Sequence, residues 1–113
     1  MKKEQPMATG DCYEASAMTV LDTEDDEMVL CHGMVSGQGE LKGKRIDHAW
    51  VEYHNLVFDV ANGIRKILSK KRYYQIGEIN QKQVNRYPRM KALRMLHSTE
   101  NFGAWTDKER RMV

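Results

Sequence analysis

His48-Ala-Trp-Val-Glu-Tyr-His-Asn-Leu-Val-Phe-Asp59 is the stretch whose reading decides the fold. Residues 48–53 and 56–61 are rich in Trp, Val, Tyr, Leu and Phe, which favour strands, and His54-Asn55 interrupts them. Asn tolerates the positive φ of a tight turn, so the spacing predicts a β-hairpin. If Tyr53-His54 is the loop, His48 lies opposite Asp59. If His54-Asn55 is the loop, Trp50 lies opposite Asp59 and His48 is its diagonal neighbour. Strand side chains alternate with period two. Both registers therefore put His48, Trp50, Glu52 and Asp59 on one face, and Ala49, Val51, Phe58 and Val60 on the other. An Asp about 5 Å from a His on one sheet face can accept its ring N–H and fix its tautomer. The competing reading is a surface hairpin with an incidental His–Asp pair.

Upstream, Asp11 to Leu21 reads as a short helix, with Thr9 or Asp11 as N-cap and Gly10 permitting a sharp turn into it. Ala15, Ala17, Met18, Val20 and Leu21 supply its apolar surface. Cys12 falls in the first turn, where free backbone N–H groups and the helix dipole favour a thiolate. Most cysteines are simply small buried hydrophobes. Position at a helix N-terminus, together with the His–Asp hairpin, points instead to a nucleophile, its base and the group that orients the base.

A helix-borne Cys followed by His and Asp on consecutive strands resembles the papain-like and transglutaminase-like superfamily. The motif is most specific at His48-Ala49-Trp50-Val51-Glu52 and Val57-Phe58-Asp59. Gly10 to Gly63 also resembles small bacteriophage and bacterial proteins with this core. In them a Gly-Asp-Cys-Tyr-Glu-Ala helix precedes a His-Gly strand, here His32-Gly33, then the His strand and an Asp strand ending in Asn-Gly. Asn101-Phe102-Gly103-Ala104-Trp105 is similar to their ends. The resemblance implies Cys12 as nucleophile, His48 as base and Asp59 as orienting acid. It supplies no substrate, because members include peptidases, acyltransferases and inactive relatives. Papain-like enzymes often place a Gln ahead of the Cys as an oxyanion-hole donor. Gln5 is the candidate here, and the Cys12 backbone N–H is the other donor.

A chain of 113 residues, 41% hydrophobic and 30% charged, fits one domain with a core that needs no disulfide staples. Its net charge of +2 does not argue for nucleic acid. No apolar run approaches the roughly 18 residues of a membrane span. Met1-Lys-Lys-Glu-Gln-Pro6 is followed by no apolar segment, so no signal peptide is read and a cytoplasmic location is expected, in a bacterial or phage-infected cell. Cys12 and Cys31 are expected as free thiols.

Residues 1–9 read as loose, and Thr23 to Glu27 as an acidic turn. Met28 to Val35 reads as a buried strand. Ser36 to Arg45 reads as a Gly-rich hairpin loop near the active face, without the context of a phosphate loop. Asn62-Gly63 marks a turn, and Ser69 to Ile76 a short helix with Tyr73 and Tyr74 inward. Tyr87 ends a further short strand. Pro88 to His97 reads as a helix with Pro at N1. His32 is either a substrate-cleft residue or a buried, hydrogen-bonded structural histidine. Trp50 walls the cleft or covers the triad from water. His54 and His97 are expected at the surface.

A zinc site from Cys12, His32, His48 and Asp59 is the competing chemistry, but it lacks paired ligand spacings. Basic residues from Arg65 to Arg72 and Arg86 to Arg94, interleaved with Tyr73, Tyr74 and Tyr87, sketch a nucleic-acid face, although helical surfaces are commonly charged. Lys108 to Arg111 reads as a solvated end. The resulting expectation is an α+β fold: a Cys-bearing N-terminal helix on a small antiparallel sheet carrying His48 and Asp59. The expected function is thiol hydrolysis of a peptide or amide through a thioester, with no cofactor. The alternative is an inactive scaffold that binds a host protein.

Overall fold

The computed structural model describes residues 10–37, 39–61, 64–103 and 105. Among these residues the chain is α+β, with three α-helices and a five-stranded antiparallel sheet. Helix α1 spans Gly10–Thr23, and strands β1 to β4 span Met28–Ser36, Arg45–Tyr53, Leu56–Ala61 and Ile64–Ser69. Helix α2 (Lys70–Gly77), strand β5 (Asn85–Pro88) and helix α3 (Arg89–Thr99) follow. The spatial order is β4-β3-β2-β1-β5, a meander whose fifth strand returns beside the first.

The sheet is covered on both faces. On one, Ala17 and Val20 of α1, Ala92 of α3 and Trp105 pack with Leu30, Val51 and Tyr87. On the other, Tyr73 of α2 packs with Cys31, Val35, Trp50 and Val57. Burial from two sides explains why Leu30-Cys31-His32 and Ala49 to Glu52 are continuously buried rather than alternating. The helices end as local chemistry dictates. Ser69 caps α2 by accepting from the Arg72 N–H at 3.2 Å, and Glu78, at φ 50°, closes its other end. Arg89 donates to the Leu21 carbonyl at 3.2 Å, satisfying an end of α1.

The hairpin register is Tyr53↔Leu56, Glu52↔Val57 and Val51↔Phe58, so His54-Asn55 is the loop. The positive φ falls on His54, at 56°, and not on Asn55 as the turn chemistry predicts. Its ring lies against Tyr53 and 3.2 Å from Glu27, contacts that hold it there. Two further expectations are corrected. Pro88 closes β5 and stands at the N-cap of α3, not at N1. Residues 64–69, which composition leaves unassigned before the Ser69 helix, form the edge strand β4. The Thr9 cap and the Asn62-Gly63 turn lie outside the described residues.

Glu52 ties the α2 face together. Its buried carboxylate accepts from Trp50 Nε1 at 3.1 Å, from the Tyr74 hydroxyl and from Arg86 Nε at 3.2 Å, with Lys70 at 3.4 Å. Burial alone pushes this carboxyl up. The bonds from Tyr74 and Trp50 and the charges of Arg86 and Lys70 outweigh it and hold the group below its usual range. Glu52→Ala should cost about 2–3 kcal/mol, because it strands Arg86 and the Trp50 N–H. Glu52→Gln should cost less, because an acceptor remains; urea denaturation of both variants at neutral pH checks this ordering.

Candidate functional site

The ladder between β2 and β3 stops at Val51↔Phe58, while β1–β2 pairing runs on to Arg45 and β3–β4 pairing to Ala61. Beyond that point side chains join the two strands. His48 Nε2 lies 3.1 Å from both oxygens of Asp59. The Tyr73 hydroxyl donates to Asp59 Oδ2 at 2.7 Å. His48 and Asp59 keep only 17% and 18% of their side-chain surface exposed, so the pair is largely shielded from water yet still reachable.

Cys12 approaches from the other side. It is buried in the first turn of α1 with Tyr13 and Ala49, residues of the opposite sheet face. Cys12 is nevertheless close enough to His48 to act on its imidazole through hydrogen bonding and charge. Burial pulls the His48 imidazole down, but the bonds and charges of Asp59 and Cys12 more than offset it and raise it to about 9. Burial likewise pushes Asp59 up. His48, Tyr73 and Lys66, the cross-strand partner of Asp59, outweigh this and hold it below its usual range.

Trp50 and His32 are placed differently from a substrate cleft. Trp50 is fully buried, roughly parallel to His48 at a centroid distance of 6.3 Å, and anchored to Glu52. Gly33 makes room for it: a Cβ there would come 3.1 Å from Trp50 Cη2. His32 is buried at 1% exposure among Tyr13, Tyr87 and Trp105, with centroids 4.8–5.1 Å away. Contrary to the expectation of a hydrogen-bonded structural histidine, neither ring nitrogen has a hydrogen-bond partner among the described residues. Gly103, at φ 122°, comes close to the ring: a Cβ there would sit 2.9 Å from His32 Cε1. Burial lowers this imidazole to about 4. Gln5 lies outside the described residues.

On the α2 face the His48–Asp59 pair borders a cavity of about 340 Å³ walled by Val35, Ile46, Leu68, Ile76 and Tyr73. Ser36 and Gly37, from the start of the Gly-rich connection, complete its wall together with Lys66 and Gly77. Arg45 fastens that rim by donating to Ser36 Oγ at 2.9 Å and to the carbonyls of Gly77 and Glu78 at 3.1 and 2.9 Å. The sequence reading missed Tyr73 as the second donor to Asp59, together with the cavity wall. Period two from His48 reaches Ile46. Lys66 and Leu68 lie on β4, the strand it left unassigned.

Among the described residues, no group of three His, Cys, Asp or Glu side chains is arranged to hold a metal ion, and neither cysteine forms a disulfide. No helix among them is long and apolar enough to cross a membrane. Compared with known protein families, curated proteins and solved structures, the chain shows no significant match.

The two buried histidines bracket the pH of greatest stability. His48 titrates near 9 folded and near 6.5 unfolded, so its contribution is full below 6.5 and lost as pH rises through 9. His32 titrates near 4 folded, so the unfolded chain gains a proton first and stability falls as pH drops from 6.5 through 4. Each limb is on the order of 3 kcal/mol when fully developed. Urea midpoints from pH 4 to 10 should peak near 6.5; His48→Gln should flatten the alkaline limb and His32→Phe the acid limb. A second expectation concerns the carboxylate. Tyr73→Phe should move the Asp59 titration upward, read from its carboxyl ¹³C shift, and cost about 1–3 kcal/mol.

Proposed function

We propose that the protein is a thiol-dependent hydrolase of peptide or amide bonds on a papain-like or transglutaminase-like core. The supporting observation is one imidazole shared between Asp59, at 3.1 Å from both oxygens, and the Cys12 thiol. In this reading Cys12 sulfur attacks the carbonyl carbon. His48, carrying the thiol proton, delivers it to the leaving amine as the C–N bond breaks. Water, deprotonated by His48, then cleaves the thioester. Asp59 holds the ring's orientation and stabilises its positive charge, and Tyr73 acts as a positioning residue behind Asp59. The Cys12 backbone N–H at the start of α1 is the oxyanion donor this reading uses.

A second reading draws on the burial of Cys12, at 6% exposure. There the same scaffold carries no reaction and serves as a binding module for a host protein in a bacterial or phage-infected cytoplasm. Iodoacetamide alkylation of Cys12 against pH separates the two. The hydrolase reading expects labelling well below pH 8 in the unaltered protein and a loss of about tenfold or more at pH 6 in His48→Ala. An ordinary thiol profile in both proteins, or no labelling, would leave the binding scaffold.

A further inference from the structure

We infer that the cavity on the α2 face, with the basic cleft beside it, is a non-covalent site for a short-chain aliphatic carboxylate, its hydrocarbon tail in the cavity and its carboxylate in the cleft. Cys12 lies across the sheet and does not line it, so the site goes beyond the thiol reading and does not depend on it.

Four elements each contribute one aliphatic side chain to the cavity: Val35 from β1, Ile46 from β2, Leu68 from β4 and Ile76 from α2. Its volume of about 340 Å³ lies at the small end of ligand cavities, which begin near about 300 Å³. The polar groups at its inner end already have partners within the protein. The Tyr73 hydroxyl is bound to Asp59, and both Asp59 oxygens face His48. A polar group of a ligand placed there would lose its bonds to water and gain few in return. A hydrocarbon tail loses nothing.

A second hollow, of about 420 Å³, opens from the same rim and shares Ser36, Gly37 and Ile76 with the cavity. Its other walls are Lys42, Gly43, Lys44, Arg45 and Glu78. Arg45 and Glu78 carry opposite charges, and both are committed to the rim. Arg45 donates to Ser36 Oγ and to the carbonyls of Met34, Gly77 and Glu78, while the Glu78 carboxylate accepts from Ser36 Oγ at 2.6 Å. Lys42 and Lys44 form no ion pair among the described residues. The cleft therefore offers two positive charges without a paired anion, next to the apolar cavity. A carboxylate turned the other way would meet Asp59, whose cross-strand partner Lys66 already faces it. A phosphate head is matched less well, because phosphate favours the guanidinium fork and the one in this cleft is engaged.

The test is titration of the full chain with hexanoate, butyrate, hexylammonium, hexanol and hexyl phosphate, followed by methyl NMR. Hexanoate should shift the methyls of Ile46, Leu68 and Ile76 to saturation and bind about tenfold tighter than butyrate, because two more methylenes are buried. Hexylammonium should bind about fivefold weaker than hexanoate, or worse. Lys42→Gln combined with Lys44→Gln should weaken hexanoate about fivefold and leave hexanol unchanged. Ile76→Trp, which fills the cavity from its half-exposed side, should abolish the Ile46 and Leu68 shifts with both ligands.

Equal affinity for hexanoate and hexylammonium, or hexanoate binding indifferent to the two lysines, would overturn the carboxylate in the cleft. Tighter binding of hexyl phosphate than of hexanoate would overturn the choice of head group. Absence of the three methyl shifts, or shifts that survive Ile76→Trp, would overturn the site itself.

Discussion

The unpaired stretch between β2 and β3 is the constraint on which the site depends. Two antiparallel strands that paired along their whole length would seal one face of the sheet from the other. Here pairing ends at Val51↔Phe58, and the His48–Asp59 contact takes over. The break lets a residue on the α1 side meet a ring on the α2 side. It also leaves backbone groups to be satisfied by other means, a cost accepted only where the surroundings hold the geometry firmly. Tyr73 and Lys66 brace Asp59 from α2 and β4, and α1 closes over the opening from the other face.

Firmness comes from the two covered faces, which do different work. The α1 face is an aromatic and aliphatic core in which even a histidine, His32, has no hydrogen-bond partner among the described residues. The α2 face is polar at its centre. Glu52 draws Trp50, Tyr74, Arg86 and Lys70 to one carboxylate, so β2, α2 and β5 are pinned by directional bonds rather than by area alone. Directional bonds fix distances more tightly than dispersion does, and that matters beside a bond network built from groups about 3 Å apart. The spacing His48, Trp50, Glu52 along β2 therefore sets an imidazole, the indole beside it and the carboxylate that anchors the indole on one face, aligned by the pleat of one strand.

Much of this was legible because strand alternation is strict. Period two alone puts His48, Trp50, Glu52 and Asp59 on one face, and the structure has them so. The helix over Cys12 was legible from its apolar spacing and Gly10. The α+β class followed from the order of these elements. What escaped the reading had no local signature. Ile64-Arg-Lys-Ile-Leu-Ser69 is an edge strand whose alternation is broken by paired charges, so only its partner β3 reveals it. Tyr73 reaches Asp59 through tertiary packing, and a sequence shows a tyrosine on a helix without showing where its hydroxyl ends. His32 is instructive in the same way. Composition favours a satisfied buried histidine, but the aromatic side chains that enclose it come from residues far apart in the chain.

The return of β5 to the side of β1 bears on how the chain assembles. Leu30 pairs with Tyr87, and His32 is covered by Trp105, so β1 gains its outer neighbour and its lid only from residues far downstream of it. Contacts of such sequence separation raise contact order, and loop closure must be met before they stabilise anything. During synthesis the meander β1–β4 forms from neighbours, while the outer edge of β1 and the aromatic bed beneath Trp105 stay open. Until β5 arrives, that edge can pair with another chain. The strand whose side chains enter the cores on both faces of the sheet is therefore also the one whose outer edge stays open longest.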